Sequence, residues 1–199
     1  MKTVSLLNRK GGAGKTTTAI GLAFGIQRRT GLRVGVVDCD PNGSATRWLE
    51  GLPEMETVAC PADQLALFLE GLVDDFDVVL IDSPPNDELA VAAIARVSDL
   101  ALLPVAPAPV EIDQLPDTIQ ILKAVGTPWI VVPVRVRMST SAGQSIRALC
   151  EELDVSVTKS MVPLAEAVTR SFGEEPPLMP FGPLVTEILG LLDLALVGA

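Results

Sequence analysis

Five short, almost continuously apolar runs are spaced along the chain, and they limit its fold more than any other feature of the sequence. Each run is rich in Val, Leu or Ile, and stretches with helical spacing separate the runs. Strands that are buried on both faces of a parallel sheet have this composition. The sequence therefore predicts an α/β fold, a doubly wound, mostly parallel sheet with helices on both faces. The predicted strands are 2–8, 33–38, 77–83, 99–106 and 129–136, and the predicted helices are 15–29, 62–73, 87–97, 114–125 and 142–152.

The length and composition favour one compact unit. The chain has 199 residues, of which 48% are apolar, and no linker, low-complexity tract or internal repeat divides it. One core of this size suits a single domain, 1–199. The net charge of −10 argues against a surface covered everywhere by nucleic acid, because phosphate contacts require clustered Lys and Arg. One local basic patch is compatible with it.

The cysteines and the ends of the chain indicate the compartment. Cys39, Cys60 and Cys150 are scattered and lack C-x-x-C spacing, so we expect neither a disulfide framework nor a zinc or iron–sulfur site. The N-terminus lacks the features of a signal peptide. The C-terminal segment 184–199 is apolar, but two acidic residues interrupt it and no Lys or Arg accompanies it. We therefore expect a packed helix rather than an anchor, no membrane partner, and a cytoplasmic protein.

The stretch NRKGGAGKTTT, residues 8–18, lies between a predicted strand and a predicted helix, as a phosphate-binding loop does. Its small residues let backbone N–H groups converge on phosphate oxygens, and the start of the helix adds the positive end of the helix dipole. Lys15 can reach the β- and γ-phosphates, and the hydroxyl of Thr16 can bind Mg²⁺. The predicted nucleotide-binding residues of this loop are Gly11, Gly12, Ala13, Gly14, Lys15, Thr16 and Thr17.

The loop departs from the common Walker A motif, which has glycine at the position of Arg9. The residues KGGAGKTT instead resemble the deviant Walker A motif of the ParA/MinD group of ATPases. In that group the additional lysine, here Lys10, reaches the phosphates bound by a partner subunit. The resemblance therefore implies an ATP-dependent homodimer, with Lys10 acting beside Lys15 in catalysis and nucleotide binding. A dinucleotide-binding motif fits less well, because Thr17 occupies the place of its third glycine.

Two aspartates after the second predicted strand, in VVDCDPNGSAT, resemble the Walker A′ segment of the same group. Both Asp38 and Asp40 match it. The resemblance implies that Asp40 orients the attacking water and contacts the Mg²⁺ shell, and that residues 41–46 form a switch that senses the γ-phosphate. One positioned carboxylate can suffice, because phosphoryl transfer needs little covalent help from the protein. The alternative is an Asx turn that closes the strand, with Asp40 capping a helix at 44–50.

The remaining site residues come from two later segments. The run DVVLIDS ends in Asp82, a carboxylate at a strand tip, which is the Walker B arrangement and predicts a position near Mg²⁺. The predicted metal-binding residues are thus Thr16, Asp40 and Asp82. The stretch KSMVPLAEAVTRS resembles the family's segment near the adenine. This implies a base contact from Pro163, with Arg135 as a second candidate.

The likeness covers most of the chain and is closest to short, plasmid-type, ParF-like ParA partition proteins. It implies that ATP and Mg²⁺ close a homodimer, that the dimer binds DNA without sequence preference, and that a ParB-like centromere-binding partner stimulates ATP hydrolysis. Such a protein segregates plasmid or chromosome DNA and is associated with the nucleoid. Leu164 stands where many relatives have Arg. The candidate DNA contacts are Arg135, Arg137, Arg147, Lys159 and Arg170.

Two other functions are compatible with this fold and loop. A MinD-like or protein-cargo positioning ATPase would use the same switch, although the C-terminus lacks the basic residues of an anchor on anionic lipid. An ATP-dependent ligase of the dethiobiotin synthetase type would activate a carboxylate or carbamate. Lys10 and the pair Asp38 and Asp40 favour the partition ATPase over the ligase.

Overall fold

Six parallel strands form the sheet that organises the chain. The structure is a computed structural model that describes residues 1–108, 115–137 and 142–194. The strands follow the order β3-β2-β4-β1-β5-β6, and every neighbouring pair is parallel. The predicted α/β fold is therefore confirmed. The strands are β1 Lys2–Leu6, β2 Val34–Asp38, β3 Glu56–Ala59, β4 Val78–Asp82, β5 Leu100–Val105 and β6 Trp129–Pro133.

Helices follow the strands and cover both faces of the sheet. The helix after β1 ends at Gly31, which has a left-handed φ of 68° and donates its N–H to the carbonyl of Gln27. The helix after β4 begins after Asp87, whose carboxylate accepts a hydrogen bond from the N–H of Ala90. The helices are α1 Lys15–Thr30, α2 Ser44–Leu49, α3 Leu65–Glu70, α4 Glu88–Arg96, α5 Leu115–Val125, α6 Ala142–Glu152, α7 Glu166–Arg170 and α8 Gly182–Leu191.

Two apolar layers, one on each face of the sheet, form the core. Alternate residues of a strand point to opposite faces, so Leu6 enters one layer and Leu7 the other. The first layer packs α1 and α8 against the sheet, and the second packs α4 and α5 against it. Burial on both faces explains why the strands have continuous apolar sequences. The three cysteines are buried as free thiols.

Parallel pairing brings the carboxyl ends of three strands together. Leu6 of β1 and Asp38 of β2 are both register partners of Asp82 in β4. β1 leads into the glycine-rich loop, while β2 and β4 end in carboxylates. The sheet thus gathers the residues predicted for phosphate and metal binding at the carboxyl ends of its strands, where ligands of open α/β sheets bind.

The structure differs from the sequence-based expectation at one sheet edge and near the C-terminus. The sequence does not predict β3, because this strand is short and mostly exposed and so lacks an apolar run. Nor does it predict α7, in which only Val168 is buried. The expected packed C-terminal helix is present as α8, and residues 195–199 lie outside the described residues. None of the described helices is both long enough and apolar enough to span a bilayer.

A close contact between α1 and α8 depends on a glycine. Gly21 in α1 faces the ring of Phe181, and a Cβ atom on Gly21 would lie 2.4 Å from two ring atoms. Phe181 is fully buried, so its ring has no space into which it could move. A side chain at position 21 would therefore push the start of α8 away from α1.

We expect Gly21→Ala to destabilise the protein by about 1–3 kcal/mol, the usual cost of overpacking a core. Gly190→Ala in α8 is the matched control, because a Cβ atom there meets no atom within 4 Å and alanine favours a helix. Urea unfolding followed by circular dichroism measures both variants. Equal stability of the two would contradict the tight α1–α8 contact.

Candidate functional site

The glycine-rich loop between β1 and α1 presents backbone donors. Gly12 and Gly14 have left-handed φ values of 75° and 90°, which residues with a side chain rarely adopt. Gly14 is the N-cap of α1, and no side chain caps this end of the helix. The first N–H groups of α1 are therefore left for a ligand, as they are in anion-binding sites.

The ammonium group of Lys15 is buried and folds back over the loop. Its Nζ donates to the carbonyl of Asn8 at 2.9 Å and to the carbonyl of Lys10 at 3.1 Å. Burial lowers the pKa of Lys15, while the charges of Asp82 and Asp40 act in the opposite direction. A cation held by carbonyl oxygens inside the loop is placed to exchange them for phosphate oxygens.

Thr16 and Asp82 form a pair at the base of the loop. The hydroxyl of Thr16 donates to Oδ2 of Asp82 at 2.6 Å, and Asp82 is fully buried. The other oxygen, Oδ1, has no hydrogen-bond partner among the described residues. The pKa of Asp82 is raised to about 7, mainly by burial; the hydrogen bond from Thr16 opposes this rise and the charge of Asp38 adds to it.

A buried carboxylate oxygen without a donor, next to a hydroxyl, suits a hard divalent cation. Mg²⁺ prefers oxygen ligands and keeps several bound waters. Thr16, Asp82 and Asp40 lie close to one another, so these residues fit that ion. Within the described residues no group of three or more His, Cys, Asp and Glu could hold a metal. A metal here would therefore need phosphate and water oxygens to complete its shell.

The two aspartates at the end of β2, Asp38 as its last residue and Asp40 two residues later, make different contacts. Oδ1 of Asp38 accepts from the N–H of Asp40 at 3.0 Å, and Oδ2 accepts from the N–H and the hydroxyl of Thr46 at 2.9 and 3.1 Å. Asp38 thus binds the first turn of α2, and the alternative that Asp40 caps this helix is wrong. Asp40 does form an Asx turn, because its carboxylate accepts from the N–H of Asn42 at 2.9 Å.

A cavity of about 620 Å³ opens beside the loop, and its volume is in the range of small-molecule sites. Its polar end is formed by the phosphate loop and Asp40. Its other end is apolar and is formed by Val134 and the segment around Pro163. This arrangement suits a ligand with one charged end and one flat, apolar end. The residues that line it include Gly11, Gly12, Ala13, Gly14, Lys15, Thr16, Thr17, Asp40, Trp48, Val134, Arg135, Val162, Pro163, Leu164 and Phe172.

Most of the predicted nucleotide-binding residues line this cavity. Residues 11–17, Asp40 and Pro163 contribute to its wall. Asp82 instead lies beneath Thr16, where the two side chains are hydrogen-bonded. Lys10 is half-buried beside the loop, and its backbone N–H donates to Oδ1 of Asn8 at 2.9 Å.

Two aromatic residues at the rim of the cavity are not predicted by the sequence. The rings of Trp48, in α2, and Phe172 have centroids 5.6 Å apart, and both residues line the cavity. The indole N–H of Trp48 donates to the carbonyl of Glu174 at 2.9 Å. No motif contains either residue. The only signal in the sequence is their rarity, since aromatic residues make up 4% of the chain.

The basic residues predicted to contact DNA have local contacts of their own. Arg170 forms an ion pair with Glu166 one helical turn away. The guanidinium of Arg147 donates to the carbonyl of Lys159. Arg135 lines the cavity and has a left-handed φ of 54°. The structure therefore brings Arg135 to the candidate site and places Arg147 next to Lys159.

Comparison with known proteins relates the chain to a family. A family model described as the CobQ/CobB/MinD/ParA nucleotide binding domain matches residues 4–178. Maintenance of carboxysome distribution protein A of Gloeobacter kilaueensis is 33% identical over 177 residues, which are 86% of this chain and 77% of that protein. Protein ParA of Rhizobium radiobacter is 31% identical over 111 residues, which are 54% of this chain and 50% of that protein.

Solved structures share the fold. The septum site-determining protein MinD of Pyrococcus horikoshii OT3, complexed with Mg-ADP, has a TM-score of 0.81 at 17% identity, and the match covers 96% of this chain and 97% of that chain. The match to the family model includes the glycine-rich loop and the aspartates at the ends of β2 and β4. The predicted resemblance to the ParA/MinD group is thus confirmed. The chain belongs to the CobQ/CobB/MinD/ParA family of nucleotide-binding domains.

Proposed function

We propose that this chain is a ParA-type ATPase, a nucleotide-dependent switch that positions a cargo. The observation that carries the proposal is the position of Lys15 and Asp40 at the polar end of one cavity, with Asp82 hydrogen-bonded to Thr16 of the same loop. Family membership supports a nucleotide as the ligand. The resemblance of residues 10–17 to the deviant Walker A motif favours a positioning ATPase among the members of the family.

ATP with Mg²⁺ is the ligand that we assign to the cavity. The backbone of residues 11–17 would hold the phosphates, and the apolar segment around Pro163 would contact the base. Thr16, Asp40 and Asp82 would hold the metal. Bound Mg²⁺ would supply neutralisation of the phosphate charge. The related MinD structure, described as a complex with Mg-ADP, supports this assignment.

Asp40 orients the water that attacks the γ-phosphate. Asp40 lines the cavity, and its backbone N–H donates to the carboxylate of Asp38. The carboxylate of Asp40 accepts from the N–H of Asn42 and so closes a turn. These contacts limit the directions that the carboxylate can take, which is what positioning a nucleophile requires. Lys15 and the loop N–H groups stabilise the charge of the transferred phosphoryl group.

Lys10 is the residue through which ATP controls pairing. Its peptide is held on both sides, because its N–H donates to Asn8 and its carbonyl accepts from Nζ of Lys15. Lys10 is not part of the wall of the cavity. A lysine on a fixed backbone beside the loop suits a contact with phosphates bound by a second copy. Such a contact stabilises a homodimer only when those phosphates are present.

The cargo is either DNA or a protein assembly. The relative named for carboxysome distribution matches a larger share of this chain than the relative named ParA. Positioning of a protein cargo is therefore supported at least as well as plasmid partition. In both cases we propose that the dimer binds DNA without sequence preference and is associated with the nucleoid. A ParB-like protein, or an adaptor on the assembly, would stimulate hydrolysis.

ATP, but not ADP, should convert the wild-type chain from a monomer to a dimer, and Lys10→Ala should abolish this conversion because the cation that reaches the second copy is removed. Binding of a fluorescent ATP analogue should change by less than about threefold, since Lys15 remains. Lys123→Ala, at an exposed position in α5, is the control. Light scattering after size-exclusion chromatography gives the masses. A Lys10→Ala chain that forms the dimer with ATP like wild type would show that Lys10 does not control pairing.

Asp40→Ala should lower ATP turnover by about 100-fold or more, because the water loses its positioning group. ATP binding and dimerisation should persist, since the phosphate loop is intact. Asp63→Ala, which removes an exposed carboxylate, is the control. Phosphate release measures turnover. Normal turnover in the Asp40→Ala variant would show that another group orients the attacking water.

DNA retention should require ATP and should fall steeply between about 50 and 200 mM salt, because binding to phosphates releases counterions. The double variant Arg137→Ala with Lys159→Ala should reduce the salt slope by about 1 for each DNA phosphate that the variant no longer neutralises. Lys123→Ala should leave the slope unchanged. Fluorescence anisotropy with a random-sequence duplex gives the slope. A lack of ATP-dependent binding at the lowest salt would exclude DNA as a ligand.

A further inference from the structure

Arg9 connects the phosphate loop to two helices, and the proposed function does not account for these contacts. Its Nη1 donates to Oδ2 of Asp117 at 2.7 Å, and its Nη2 lies 2.9 Å from Oε1 of Glu88. Its carbonyl accepts from the N–H of Asn86 at 2.7 Å. One residue of the loop thus contacts the segment before α4, the first residue of α4 and the first turn of α5.

The sheet topology explains why these contacts meet at Arg9. Strand β1 lies between β4 and β5. Arg9 follows β1, α4 follows β4, and α5 follows β5. Arg9 therefore lies at the centre of three adjacent strand exits. Glycine, the common residue of a Walker A motif at this position, could make only the backbone contact.

Arginine suits this connection because its planar guanidinium presents several donors in fixed directions. The side chain of Arg9 is 29% exposed, while those of Glu88 and Asp117 are each 60% exposed. Ion pairs with such exposed carboxylates contribute little to global stability. Their effect is therefore local, because they restrict how the first turns of α4 and α5 lie against the loop.

The restricted region includes Lys10 and an exposed apolar residue. Asn8 donates its side-chain amide to the carbonyl of Pro104 at 2.8 Å and accepts from the N–H of Lys10. The segment 8–10 is thus tied to β5 by Asn8 and to the two helices by Arg9. Leu89, the residue after Glu88, is 84% exposed. An apolar side chain therefore stands on the helical turn that Arg9 holds.

We propose that Arg9 is a positioning residue, which holds the first turns of α4 and α5 against the phosphate loop and keeps Lys10 and Leu89 in the arrangement that binds a second copy of this chain. The pairing of two copies rests on the proposed function. The connection between Arg9 and the two helices does not, so the two statements have separate tests.

Hydrogen exchange of the nucleotide-free protein tests the local connection. Arg9→Gln should speed exchange at least about threefold in peptides that contain Asn86 and the starts of α4 and α5. The melting temperature should change by less than about 2 °C, because the pairs are exposed. Arg33→Gln is the matched control, because it removes an exposed ion pair with Asp77 and should leave these peptides unchanged. Unchanged exchange in the Arg9→Gln variant would overturn the connection.

Sedimentation with a non-hydrolysable ATP analogue tests the consequence for pairing. Arg9→Gln should weaken the dimer at least about tenfold, with nucleotide affinity within about threefold of wild type. Arg9→Lys should pair more tightly than Arg9→Gln but less tightly than wild type, because lysine keeps the positive charge but lacks the planar guanidinium with its fixed donors. Arg9→Glu combined with Glu88→Arg and Asp117→Arg should pair more tightly than Arg9→Glu alone. If Arg9 only supported the fold, Arg9→Gln would lower the melting temperature and the nucleotide affinity together with pairing, and this result would overturn the positioning role.

The outcomes separate this inference from the proposed function. A wild-type chain that stays monomeric with the analogue overturns the proposed function, and hydrogen exchange then decides the local role of Arg9. A wild-type chain that pairs, together with an Arg9→Gln chain that pairs equally tightly, overturns the inference and leaves the proposed function intact.

Discussion

A buried ammonium group beside several carboxylates is the constraint on which the candidate site depends. Lys15 is accommodated inside the loop because two carbonyls accept its hydrogens, while Asp82 and Asp40 oppose the fall in its pKa that burial causes. Asp38 adds a further negative charge next to Asp82. Among these four side chains, one ammonium group therefore stands beside three carboxyl groups, of which Asp82 has a pKa raised to about 7 by burial. This balance favours a nucleotide that arrives with a divalent cation over a bare polyphosphate, because the cation offsets carboxylates and phosphates alike.

The apolar end of the cavity depends on the far end of the chain. Glu187 of α8 accepts from the N–H groups of Lys159 and Ser160, each at 2.8 Å. A few residues later, Pro163 forms a parallel bridge with Val136. The segment that carries Pro163 is thus held by α8 on one side and by the continuation of β6 on the other. Because α8 also packs on α1, helix α8 supports both the segment that carries Pro163 and the helix that follows the glycine-rich loop.

The sequence predicts the features that depend on local pattern and misses those that depend on contacts between distant segments. Apolar runs predict the parallel sheet because both faces are buried, and the spacing in residues 8–18 predicts the phosphate loop because its backbone requires glycine. Whether Asp38 or Asp40 binds the first turn of α2 depends on side-chain direction at the end of β2, which no motif encodes. Trp48 reaches the rim only through the packing of α2. Arg9 contacts a residue 108 positions away, which local periodicity does not contain.

Helix α2 links the polar end of the site to the rim of the cavity. Asp38, the register partner of Asp82, binds the first turn of this helix. Near its other end, the indole of Trp48 donates to the carbonyl of Glu174 and packs on Phe172. The helix has six residues and a length of about 9 Å, so one short element separates the two regions. Helix α2 therefore connects the loop before it to the rim of the cavity, where Phe172 is exposed.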